Sequence, residues 1–125
     1  MPTDLPDSPQ SLSQSQEDPS FAQAAFDELQ YAYTKDPANV ARMYRDLKSD
    51  ADNALGCEEG AADSCQKLCL LDLAVANLKA NGSDHQAASV MYNDAVLYLG
   101  KLKSFPGAQN VKPISEIANR VRAKF

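Results

Sequence analysis

The sequence predicts an all-α protein: an up-down-up-down four-helix bundle with a short extra C-terminal helix. Three observations predict it. Apolar residues recur with the 3.6-residue period over four stretches of about 15–20 residues. The breaks between those stretches are short and carry cap and stop residues, which forces antiparallel neighbours. No run alternates with period two, and Val, Ile and Thr are few.

Residues 1–18, MPTDLPDSPQSLSQSQED, are dominated by Pro, Ser, Gln and Asp. They bury too little apolar surface to offset the entropy of ordering and read as a disordered acidic arm. The first helix is expected over Pro19–Thr34, with Asp18 as cap, Pro19 at the first helical position and Ser20-x-x-Gln23 as an alternative capping box. Its apolar face is Ala22, Ala25, Phe26, Leu29 and Tyr33, and Lys35-Asp36-Pro37 ends it. The second helix repeats the device at Asp36-Pro37 and runs to Leu55. Its stripe is Val40, Met43, Tyr44, Leu47, Ala51, Ala54 and Leu55, with Arg42, Arg45, Lys48, Asp50 and Asp52 mostly opposite. Gly56 is its expected C-cap and Glu58-Glu59-Gly60 the turn.

The third helix, Asp63–Ala80, is apolar almost all round and holds the densest apolar run, Leu68-Cys69-Leu70-Leu71. Such a helix is buried by several neighbours at once. Asn81-Gly82 terminates it, and Ser83 or Asp84 caps a fourth helix to Phe105, with Ala88, Met91, Ala95, Tyr98, Leu99 and Leu102 inward. Phe105-Pro106-Gly107 stops that helix. A short last helix begins near Pro113, with Ile114, Ile117, Val121 and Phe125 on one face and a basic face opposite. It is too short to be stable alone. Residues 19–105 thus form the expected bundle and 106–125 a basic C-terminal segment.

The 125 residues carry a net charge of −5 that is unevenly spread. The arm has Asp4, Asp7, Glu17 and Asp18 and no base. Residues 100–125 carry Lys101, Lys103, Lys112, Arg120, Arg122 and Lys124 against Glu116. An acidic body argues against nucleic acid as the main partner, because phosphate binding needs a basic face. The six C-terminal cations are docking candidates for an acidic protein surface; the alternative is a solvated helix face. There is no apolar run of about 18 residues to span a membrane. The N-terminus lacks the basic and apolar regions of a signal peptide, so a cytosolic chain or a processed mature form is expected.

No catalytic constellation is visible: no Gly-rich phosphate loop, no Gly-x-Ser-x-Gly, no Cys/His pair with an orienting carboxylate, no Glu-x-x-His. His85 reads as a surface histidine at a helix start, and Glu58 and Glu59 as a solvated turn. No enzyme activity, cofactor or metal is expected. Cys57, Cys65 and Cys69 do not have zinc spacing. Cys57 falls just past one helix and Cys65 in the first turn of the next, which favours a Cys57–Cys65 disulfide, with Cys57–Cys69 as rival and three reduced thiols as the alternative. A bridge over so short a loop contributes about 2–3 kcal/mol and implies an oxidising compartment.

Met91-Tyr92, Leu99, Ser104-Phe105-Pro106-Gly107 and Pro113-Ile114, with Asp36-Pro37-Ala38-Asn39 at a helix start, resemble the small lumenal assembly factor of photosystem II. The chain differs from it in the extra helix Asp63–Ala80. A four-helix bundle with a short C-terminal appendage is similar to the PsbQ-type extrinsic subunits, including the diatom-specific extrinsic protein. The resemblance implies a mature, processed, non-catalytic protein of the thylakoid lumen. It would be peripheral to the membrane, dock on the photosystem II core beside other extrinsic subunits, and stabilise the oxygen-evolving complex. The alternatives are a soluble helical adaptor or secreted effector that binds another protein, and a thiol switch at the three cysteines.

Overall fold

The computed structural model describes residues 18–53, 59–105 and 108–125, and among these every element is helical. The N-terminal arm, the Gly56 C-cap, Cys57 and the Pro106-Gly107 stop lie outside the described residues. The helices are α1 Pro19–Lys35, α2 Pro37–Asn53, α3 Glu59–Asn81, α4 His85–Lys103 and α5 Val111–Arg122.

The caps explain most boundaries. The Asp18 carboxylate accepts from the Phe21 N–H at 3.1 Å, with Pro19 behind it in the first turn. Asp36 serves two helices at once. Its own N–H closes α1 onto Ala32 O at 2.8 Å, and its carboxylate accepts from the Asn39 N–H at the start of α2. Asp84, rather than Ser83, caps α4, accepting from the Ala87 N–H at 3.2 Å. Ser83 instead takes the left-handed conformation of the α3–α4 turn (φ 68°).

Two helices start earlier than expected. α3 begins at Glu59 rather than Asp63, because the sequence there includes Ala61 and Ala62, which favour helix. α5 begins at Val111, which puts Pro113 in its first turn, where the absent N–H has no intrahelical partner. Asn110, left-handed (φ 61°) and buried, anchors that start: its side-chain oxygen accepts from the Asp18 N–H at 2.6 Å and ties the beginning of α5 to that of α1.

The packing centres on α3. α3 packs against all four other helices; α1 packs on α2 and α5, and α4 on α5, whereas α1 and α4 do not meet. α5 fills the place between them. Ile114, Ile117 and Val121 are buried in the same core as Leu68, Leu70, Leu73, Leu99 and Leu102. The reason lies in α3. In a square bundle each helix keeps one face in water, and α3 has no such face to offer: residues 68–77 are buried without interruption. It therefore takes the centre, and α5 is needed as a wall.

Candidate functional site

Side chains from three helices form a polar layer on one flank of α3. α2 supplies Tyr44, Lys48 and Asp52, spaced four residues apart on one face. α4 supplies Asp94, Tyr98 and Lys101, and α3 supplies Asp72. α2 and α4 do not pack directly on each other, so these side chains bridge them across α3. Tyr44 donates to Asp94 Oδ2 at 2.8 Å, and the Lys48 ammonium lies 3.6 Å from Asp94 Oδ1. Lys48 also donates to the Tyr98 hydroxyl at 3.1 Å, and Tyr98 in turn donates to Asp52 at 2.5 Å. Lys101 closes the row on Asp52 at 3.6 Å.

Asp72 is the deepest member, with no solvent exposure. Neither carboxylate oxygen has a hydrogen-bond partner. What it faces is Asp94. Two neighbouring carboxylates do not both stay charged out of water, and burial keeps the proton on Asp72. Burial first, and then the neighbouring Asp94, push Asp72 up to about 10. Burial acts upward on Asp94 too, but protonated Asp72, the hydrogen bond from Tyr44 and the charge of Lys48 hold it below the usual carboxylate value. Tyr44 is pushed up to about 12 by burial and by its bond to Asp94. Lys48 is raised, chiefly by its bond to Tyr98. The layer is thus a neutral acid, a carboxylate and a cation in series. Asp72 is closed off from solvent on every side.

Cys65 and Cys69 lie on α3 beside this layer, both fully buried and both free thiols. Cys65 Sγ donates to Tyr98 O at 3.1 Å and Cys69 Sγ to Ala95 O at 3.8 Å. The hydrogen bond with Cys65 and burial push the Cys69 thiol up, so it behaves as a small apolar residue. Among the described residues no three His, Cys, Asp or Glu side chains converge as metal ligands. His85 is exposed at the first position of α4.

The six C-terminal cations do not form one patch. Lys101, Lys103 and Lys112 lie where α4 ends and α5 begins, and Arg120, Arg122 and Lys124 lie at the far end of α5. Several have partners within the chain. Lys101 pairs with Asp52, Arg120 donates to Gln23 at 2.6 Å, Lys124 donates to Asn81 at 3.0 Å, and Arg122 lies 5.8 Å from the Phe125 ring.

Sequence reasoning missed the polar layer. It set Lys48 and Asp52 on the outer face of the second helix and counted Tyr44 as plain core. The signal was present: Asp72 is the lone charge between Leu68 and Leu78, and Tyr44-Lys48-Asp52 repeats every four residues.

Two further surfaces stand out. Where the polar layer stops, the gap between α2 and α4 opens into a groove of about 420 Å³ with Leu71 and Val75 on its floor. The outward face of α4 carries Gln86, Val90, Asn93, Val96, Leu97 and Gly100, all exposed and none charged. Asp94, the one charge in this stretch, turns inward to Tyr44 and Lys48. Among the described residues nothing lies near the position of Gly100's missing side chain, so none of them requires a glycine there. Comparison of the chain with protein-family models, with curated proteins and with solved structures returned no match.

Proposed function

We propose that the chain is a non-catalytic helical protein that docks on another protein through the outward face of α4. One observation carries this reading: in an acidic molecule, a whole helix face has no charge and exposes Val90 and Leu97, each more than 60% accessible, beside Val96. Exposed apolar side chains grouped on an uncharged helix face suit an interaction site. Gly100 supports it, since a glycine in mid-helix costs about 1 kcal/mol relative to alanine and leaves room for close approach of a partner. Lys101 and Lys103 at the end of the face suit a partner with an acidic border.

In its specific form the proposal is an extrinsic subunit on the lumenal face of photosystem II, peripheral to the membrane. The residues of the sequence resemblance support that form. An up-down-up-down course of α1 to α4 belongs to it, and the short connections at Asp36 and at 82–84 support that course. Photosystem II membranes stripped of extrinsic proteins provide the test. The wild-type chain is expected to rebind them, and Leu97→Glu, which changes only an exposed side chain, is expected to lose at least about tenfold in affinity while melting at the same temperature. Failure of the wild-type chain to rebind removes the photosystem form. Equal rebinding by L97E removes α4 as the docking face.

A further inference from the structure

We propose that the groove between α2 and α4 binds a free fatty carboxylate, its alkyl chain lying along the groove and its head group at Lys79. This inference does not depend on the docking reading: the groove lies beside the docking face of α4 and shares only Val90, at its rim, with it. The groove's volume of about 420 Å³ falls within the range of small-molecule sites. Val40 and Tyr44 of α2, Leu71 and Val75 of α3, and Val90 and Met91 of α4 line it.

Two features select the ligand class. The first is the poverty of hydrogen-bonding groups along the walls. The Tyr44 hydroxyl is turned away to Asp94, so apart from Lys79 and the Tyr33 hydroxyl beside it the lining is alkyl, thioether and ring surface. A peptide laid there would strand its own N–H and C=O groups, each costing about 1–3 kcal/mol, whereas an alkyl chain has none to strand.

The second feature is charge. Lys79 is the one charged residue in the lining, and its ammonium rests 5.7 Å from the Tyr33 ring centroid, near the end of α3. A ring face leaves ammonium N–H groups available to an anion. The opposite end of the groove adjoins the Asp94 carboxylate, which repels an anionic head. The head is therefore sorted to Lys79 and the tail to Tyr44 and Met91. Asp84, the nearby acid, is occupied in capping the first turn of α4.

The test is calorimetric titration of the full chain with decanoate below its aggregation concentration, beside decanol and decyltrimethylammonium. Decanoate is expected to saturate one site per chain, and the cationic amphiphile to bind at least about tenfold more weakly. Lys79→Met is expected to weaken decanoate about tenfold and leave decanol unchanged. Val90→Trp, at an exposed rim position that tolerates bulk, is expected to block both. Equal binding of the anionic and cationic amphiphiles, an unchanged decanoate affinity in K79M or V90W, or no saturable heat would each overturn the assignment.

Discussion

Asp72 is the residue on which the pH behaviour of the molecule turns. It is protonated when folded and, like any exposed aspartate, ionised above about pH 4 when unfolded. Between about pH 4 and 10 the native state therefore holds a proton that the unfolded state does not. Linkage then makes the contribution of Asp72 greatest below about pH 4 and lost as pH rises toward 10. Asp94 works the other way, its contribution being lost on acidification below about pH 4. Asn at position 72 keeps the size of the side chain and removes the titration. Urea unfolding of Asp72→Asn at about pH 5, 7 and 9 is expected to show a flatter profile than wild type, with the variant the more stable at high pH. Parallel profiles would mean that Asp72 is ionised in the fold. Nothing in the periodicity around Asp72 announced this role. A pattern sorts residues into inward and outward, and Asp72 is an acid on a helix whose every side is inward.

At the scale of elements, the helices and their stops were legible because their signals are local. Asp18-Pro19, Asp36-Pro37 and Asp84 are cap chemistry, readable within a few residues. The packing order was not legible, because it depends on which helix can spare a wet face. α3 cannot, and α5 is drawn in to cover it. α5 is thus an integral element, although its twelve residues are too few to hold a helix alone. Ile114, fully buried on its first turn, should then behave as a core residue. Ile114→Ala is expected to cost about 2–5 kcal/mol by chemical denaturation, with one cooperative transition rather than a separate early loss of α5. A cost under about 0.5 kcal/mol, the range of a surface change, would return α5 to the status of an appendage.

For the whole molecule, the central placement of α3 decides what the solvent can reach. Cys65 and Cys69 sit on it, bonded to backbone carbonyls of α4, and no local opening uncovers them without separating α3 from α4. Their labelling by an excess of aromatic disulfide reagent is expected to track global unfolding, with denaturant dependence matching that of the circular dichroism transition. Fast labelling of either thiol in native buffer would contradict this. The candidate surfaces share the same origin. Four helices around one leave a seam where the ring does not close, between α2 and α4. One part of that seam is laced by Tyr44, Lys48, Tyr98 and Asp52, and the other part stays open.

The same placement sets a schedule for the chain as it is made. α3 is complete at Asn81, but its cover is not complete until α5 has been added, about 40 residues later. At about 5–20 residues per second, the helix that ends up most deeply buried waits on the order of seconds with one flank bare. The nascent chain meets its greatest hazard of self-association in that interval, and α5 ends it.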